Sequence, residues 1–305
     1  MKNFWSTYIQ TSEELFTSRR LRFRKDNAGL WLSAMKLREN MDVLEVGAGS
    51  GPFCLRIKEL LPTTKVTGLD MDEGHIKFAR KAAREHSLDC NFVIGDALNL
   101  PFDAGTFDAV TSHTVIEHVE TKKFLSEQLR VLKPGGICSV LSVRTGLSVY
   151  PESWKNNEDN EENQLTKKAW ATAENFDKNH GVAAYGLNEN EIPKAMETAG
   201  FTNVAVDFIH CVHYCPDSSN FDETSATAQI EMNRTFALHS IKKALAISPE
   251  SLTETEQKRL SELINIRFDK RINDYKAGIK HWDMAVSSIM ATTGTRGTMR
   301  QLCDN

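Results

Sequence analysis

The amino-acid sequence predicts an α/β protein organised as a doubly wound, mostly parallel sheet. Two observations lead there. Between Met41 and Val143, short apolar runs alternate with amphipathic stretches, and a glycine-rich turn joins the first run to the first helical pattern. Strands that alternate with helices at this spacing call for parallel pairing, with helices covering both faces of the sheet.

The elements follow in order. Met41–Val46 reads as a strand, and Pro52–Leu61 as a helix with Phe53, Ile57, Leu60 and Leu61 on one face. Lys65–Asp70 is a second strand. Asp72–Ser87 is helical, with Ile76, Ala79 and Ala83 spaced for a buried stripe. Cys90–Gly95, Phe107–Ser112 and Gly135–Val143 are further strands, and the helix between the last two must stop near Pro134. Beyond Arg144 the pattern changes. Residues 151–164 are polar and acidic, predicting a loop or lid, while Leu187–Phe201 reads as a helix closed by Gly200. Thr202–Cys215 alternates as a strand does. From about Phe221 to Trp282 the chain is helical in pattern and nearly free of glycine, and Met284–Gly294 is a β-branched final strand.

The chain has 305 residues, and at roughly 150 residues per domain this allows one or two domains. Its 37 Lys plus Arg against 41 Asp plus Glu leave a net charge of −4, which opposes a protein held on nucleic acid mainly by electrostatics. The first residues lack the charged and apolar regions of a secretory signal. No stretch approaches the roughly 18 apolar residues of a membrane span. Six scattered cysteines in apolar surroundings read as reduced thiols, so a cytoplasmic protein is expected. Cys211 and Cys215 are spaced by three residues rather than two and have no second pair, so no metal site is expected.

The sharpest motif is Glu45-Val46-Gly47-Ala48-Gly49-Ser50-Gly51, between the first strand and the first helix of the alternating region. Glycines suit a tight turn that a ligand approaches closely. The spacing is G-x-G-x-G rather than the G-x-G-x-x-G of dinucleotide sites. Glu45 would repel a pyrophosphate but suits the amino group of a methionine moiety. Asp70, nineteen positions after Gly51, ends the second strand, where a carboxylate can accept from both ribose hydroxyls. The alternative is a solvated strand-end aspartate. Met71 offers an apolar face to an adenine. Asp96 can accept from its amino group and Leu98 can pack on its ring, or Asp96 is a turn residue.

Together these residues make the chain similar to the class I S-adenosylmethionine-dependent methyltransferases. The matching pieces are Glu45–Gly51, Asp70, Gly95-Asp96-Ala97, Phe107–Val110 and Leu129–Gly136, and Ile116-Glu117-His118-Val119 matches the small-molecule branch that includes quinone-biosynthesis enzymes. The resemblance covers roughly residues 41–145 in the family's order. It implies a Rossmann-like, seven-stranded sheet with an antiparallel last strand, here preceded by a helical insertion. It implies S-adenosylmethionine as cofactor and S-adenosylhomocysteine as product. The cofactor-binding set is then Glu45, Gly47, Ala48, Gly49, Gly51, Asp70, Met71, Asp96, Ala97, Leu98, Ser112 and His118. The expected organisation is an N-terminal helical cover (1–40), a core (41–220), a helical insertion (221–282) serving as cap or homodimer contact, and a last strand with tail (283–305).

Methyl transfer is an in-line displacement for which a general base is optional, so the acceptor side is less legible than the cofactor side. His113, after the fourth strand, can face the methyl group or be a plain loop histidine. Tyr185 can orient a substrate or be a surface residue. The run Ser18–Lys25 contains five cations and Phe23, fit to meet an acidic substrate or RNA, or to be a solvated helix face. The leading expectation is an enzyme acting on a small molecule. Methylation of RNA or protein is the second. Thr111-Ser112-His113-Thr114 stands where an Asn-Pro-Pro-Tyr-type sequence would mark transfer to an exocyclic base nitrogen. A binding protein that kept the fold and lost activity is the third.

Overall fold

Val43, Leu44 and Val46 are wholly buried, as expected of a strand covered on both faces. They lie in β1 (Asp42–Val46), which pairs in parallel with β2 (Lys65–Asp70) on one side and β4 (Phe107–His113) on the other. Beyond them stand β3 (Cys90–Ile94), parallel to β2, and β5 (Leu132–Val143), parallel to β4. With β6 (Phe201–Tyr214) and β7 (Ala285–Arg296) the sheet has seven strands in the order β3-β2-β1-β4-β5-β7-β6, and β7 runs antiparallel to β5. The parallel sheet is the one the alternating pattern predicts, and its seven strands with an antiparallel β7 are those the family resemblance implies. The computed structural model describes residues 3–151, 160–171, 176–177 and 179–298.

The chain winds outward from β1 to β3 and then crosses to β4. The order therefore reverses between β1 and β4, and ligands bind at such a point beyond the strand C-termini. The helices that frame it are α1 (Ser12–Arg22), α2 (Ala28–Met35), α3 (Pro52–Leu60), α4 (Glu73–Glu85) and α5 (Thr121–Val131). Pro52 opens α3, where a missing N–H costs nothing, and Asp72 caps α4 by accepting from His75 N at 3.0 Å. Ile76, Ala79 and Ala83 form the buried stripe of α4.

Two compact units divide the chain. One comprises residues 1–146, 182–211 and 288–305, the other residues 147–181 and 212–287. In the first, α7 (Glu191–Thr198) follows α6 of the second unit in sequence and precedes β6. In the second, α6 (Glu161–Trp170), α8 (Glu223–Ile247) and α9 (Glu254–Lys276) enclose Ala169, Ile230, Ile241, Leu260, Ile264 and Phe268. The acidic segment 151–164 departs from the expected loop. Residues 152–159 lie outside the described residues, and Glu161–Gln164 are helical. Asn160 caps them by accepting from Asn163 N at 2.8 Å, and the acids pair with α9, Glu161 with Arg259 and Glu162 with Arg267. The cap satisfies the first turn of this helix, and its like charges are offset by two arginines about two turns apart on α9.

A buried knot ties this second unit together. The Arg271 guanidinium lies 2.7 Å from Asp217 and 3.5 Å from Asp283, and Asp217 also accepts from the backbone of His281 and Trp282 at 3.0 and 2.8 Å. Breaking such a pair leaves a buried charge uncompensated. Asp217→Ala is expected to lower stability by about 3 kcal/mol in urea unfolding, and an unchanged midpoint would show that the knot contributes nothing net.

Candidate active site

The turn after β1 is fastened to the end of β2. The backbone N–H groups of Gly47 and Ala48 both donate to the Leu69 carbonyl, at 2.7 and 2.9 Å. One residue on, the Asp70 carboxylate accepts from Gly49 N at 2.8 Å and from Asp72 N at 2.9 Å. Each of its oxygens keeps acceptor capacity after this. Burial pushes the Asp70 carboxyl above its ordinary range, against these hydrogen bonds and the nearby His75. Gly47 and Gly49 have φ of +73° and +53°, and side chains there would run into Val115 and Leu15. Glycine is required by the left-handed backbone and by the two side chains lying on the turn.

Glu45 is 3% exposed. Its carboxylate accepts from the Cys54 thiol at 2.9 Å. Burial pushes its pKa up to about 8, with the Asp70 charge adding to the rise and the Cys54 hydrogen bond and Arg19 opposing it. Arg19 reaches this place from α1, donating to the Thr114 hydroxyl at 3.2 Å and facing both Glu45 and Glu117. The sequence presents Arg19 as one cation in a basic run. Only the helix periodicity of α1, counted from Leu15, could have singled it out.

At the far end of the site Met71 is 61% exposed beside Asp70. Asp96 is exposed, and its side chain accepts from Leu98 N at 2.8 Å, closing a turn that also places Ala97 and half-buried Leu98. Across the switch point, Ser112 is buried and its hydroxyl has no hydrogen-bond partner. His113 is also buried, packed edge-on against Phe23 with ring centroids 5.1 Å apart. Its Nε2 has no partner, and burial together with Arg19 and Arg22 holds its pKa well below the ordinary imidazole value. His113 is thus a neutral imidazole facing the N-terminal segment.

Glu117 is a residue that motif matching reveals without giving it a task. One carboxylate oxygen accepts from the Ser142 hydroxyl, and the other is buried with no partner. The Glu117 carbonyl accepts from Tyr185 N at 2.9 Å, and His118 Nδ1 accepts from Ala183 N at 2.9 Å, so the loop carrying Tyr185 is tied to the turn after β4. Trp5 packs against the His118 ring at 4.7 Å, and Arg144 donates to Leu187 O at 2.7 Å. Tyr185 itself is 45% exposed.

The N-terminal basic run is not a stacking surface. Phe23 is 1% exposed, enclosed by Trp31, Phe53 and His113. Arg20 pairs with Glu59 at 3.0 Å and Arg24 with Asp26 at 2.8 Å. Neither the expected stacking surface nor a solvated helix face describes Phe23, which lies in the core.

A methyltransferase-domain family matches residues 37–200, over half of the chain. The chain belongs to the S-adenosylmethionine-dependent methyltransferase family. Norajmaline N-methyltransferase of Rauvolfia serpentina is 35% identical over 135 residues, 43% of this chain and 45% of that protein. Demethylmenaquinone methyltransferase of Thermus thermophilus is 36% identical over 122 residues, 40% of this chain and 54% of that one. The chain thus spans about half the length of these relatives. In fold it is similar to Haemonchus contortus phosphoethanolamine N-methyltransferase 2, solved with phosphomonomethylethanolamine and S-adenosylhomocysteine, at a TM-score of 0.54 and 15% identity, covering 97% of this chain and 60% of that one.

The residues of this methyltransferase domain fit the family's cofactor. Each Asp70 carboxylate oxygen keeps acceptor capacity, the buried Ser112 hydroxyl has no hydrogen-bond partner among the described residues, and the turn carries no side chain of its own at Gly47, Gly49 and Gly51. Among the described residues no helix is long and apolar enough to cross a membrane.

The Glu45 carboxyl gives a pH prediction. Its folded pKa, about 8, lies above the ordinary 4.5, so the folded domain holds a proton that the unfolded chain releases. The stability this contributes is complete below the ordinary value and is lost as pH rises toward about 8. Melting temperatures of the cofactor-free protein and of Glu45→Gln should diverge across that window, the wild type losing more. Parallel pH profiles would show that Glu45 ionises normally.

Proposed function

We propose that this chain transfers a methyl group from S-adenosylmethionine to a small molecule whose nucleophile carries an O–H or N–H. The observation that carries this is the convergence of the Gly47–Gly51 turn, Glu45 and Asp70 at the point where the strand order reverses. Relatives named as N-methyltransferases and as a demethylmenaquinone methyltransferase support a small-molecule acceptor.

In this reading Asp70 takes the ribose hydroxyls. Met71, Asp96, Ala97 and Leu98 frame the adenine. Gly47, Ala48, Gly49 and Gly51 admit the cofactor to the backbone, with Glu45, Ser112 and His118 at its methionine end. When bound, the cofactor supplies an electrophilic methyl group on a sulfonium. The protein's task is then to aim a nucleophile and exclude water. Glu117 is suited to accept the nucleophile's proton, because one of its oxygens is buried and unpartnered while Ser142 fixes the other. His113, kept neutral, and Tyr185 orient the acceptor by hydrogen bonding.

Three measurements test this. Calorimetry should detect S-adenosylhomocysteine binding, and Asp70→Ala should weaken it by roughly 2–3 kcal/mol, the scale of charge-assisted hydrogen bonds to a diol. Unchanged affinity would remove Asp70 from the ribose role. Methyl-labelled cofactor incubated with a panel of amines, phenols and carboxylates should label at least one of them. On that acceptor Glu117→Gln should cut kcat by about a hundredfold or more, the ordinary yield of a general base, while homocysteine-form binding stays within about twofold. Equal loss of binding would assign Glu117 to the cofactor instead.

A further inference from the structure

The N-terminal segment is fastened to the residues that follow Asp70. Gly74 N donates to the Asn3 side chain at 3.1 Å. Ser6 donates to the Asp72 carboxylate twice, from its backbone at 3.0 Å and its hydroxyl at 2.7 Å. The Ser12 hydroxyl lies 2.9 Å from His75 Nδ1. Asp72 also accepts from His75 N, and its own N–H donates to Asp70. One chain of hydrogen bonds thus runs from Asp70 through Asp72 and His75 to Ser6 and Ser12.

Ser12, Leu15 and Arg19 lie on one face of α1, at the spacing that brings side chains into line on a helix. Along that face Ser12 meets His75, Leu15 abuts Gly49, and Arg19 reaches Thr114 opposite Glu45 and Glu117. Seven residues of helix span about 10.5 Å, so α1 runs from the Asp70 end of the site toward the Glu117 end. Whatever fixes Ser12 along this line also fixes Leu15 and Arg19. His75 is well placed to do so. It is 3% exposed, its backbone is held by the cap of α4, and its ring faces the Asp70 and Asp72 carboxylates.

We propose that His75 and Asp72 are positioning residues that lock residues 3–22 over the cofactor site, His75 through Ser12 and Asp72 through Ser6, so that engagement of Asp70 and closure of the N-terminal segment are one event. This rests on the reading of the site as an S-adenosylmethionine pocket. Neither residue touches the reacting atoms. Their effect is on cofactor retention, and it is transmitted by the register of α1.

The test uses Ser12→Ala, His75→Leu and His75→Asn in the full chain. Trypsin cleavage at Arg19, Arg20 or Arg22, identified by fragment mass and counted apart from cleavage at exposed Lys25, reports opening of the segment without any turnover. Ligand-free Ser12→Ala and His75→Leu should be cleaved faster than wild type, and S-adenosylhomocysteine should protect wild type more than either variant. Their dissociation constants and cofactor KM should rise roughly five- to tenfold, the worth of one to two net hydrogen bonds, with kcat within about twofold. His75→Asn, whose amide sits near the place of Nδ1, should recover most of the affinity. Combining Ser12→Ala with His75→Leu should cost little more than either change alone, because both break one contact. Folded Ser12→Ala with wild-type cleavage, protection and KM would overturn the latch, whatever becomes of the more invasive His75→Leu. Wild-type protein that binds no S-adenosylhomocysteine would instead overturn the functional reading. The ligand-free cleavage rates would then decide on the latch by themselves.

Discussion

The Leu69 carbonyl accepts two backbone N–H groups, those of Gly47 and Ala48, and this junction governs the site. It pins the turn after β1 to the end of β2 and so brings Asp70 within reach of Gly49. With the turn held there, buried Glu45 and half-buried Asp70 lie near one another, each pushed above its ordinary range by desolvation. Such a pair is costly to ionise together unless a cation or hydrogen-bond donors face it. Gly49, Asp72 and Cys54 supply donors, and Arg19 supplies a positive charge from another part of the chain.

Much of this was legible in the sequence because its causes are local. Strands β1 to β5 alternate with helices of clear periodicity, and the Gly47–Gly51 turn needs residues without side chains within a few positions of one another. Asp70 was legible for the same reason: it ends β2, and the end of β2 faces the turn. The antiparallel β7 was expected from resemblance rather than from its own residues, whose β-branched pattern specifies a strand but no direction.

What the sequence concealed depends on contacts between distant positions. Phe23 sits in a cationic run and reads as exposed, yet Trp31, Phe53 and His113 close around it. Glu161 and Glu162 look like part of a solvated acidic loop until Arg259 and Arg267, 98 and 105 positions later, pair with them. Asp217 and Arg271 carry no motif, and their burial follows only from the folding of the whole helical unit. In each case the charge or ring is ordinary, and its partner determines the outcome.

The acceptor side illustrates the same limit at the level of chemistry. A cofactor common to a family imposes a shared set of contacts, so Glu45, Asp70 and the glycines can be recognised by type and spacing. An acceptor imposes nothing of the kind. The groups proposed to meet it are drawn from separate elements: Glu117 from the turn after β4, Ser142 from β5, Arg144 from just beyond it, Tyr185 from the loop before α7, and Arg19 from α1. In the proposed reading they form a set only once the sheet order is known, because β4 and β5 are neighbours and the loop of Tyr185 is hydrogen-bonded to Glu117. The unpartnered oxygen of Glu117 is therefore a better guide to the acceptor than any motif. A buried carboxylate oxygen without a donor is costly to maintain, and in the proposed reading an acceptor bearing an O–H or N–H removes that cost.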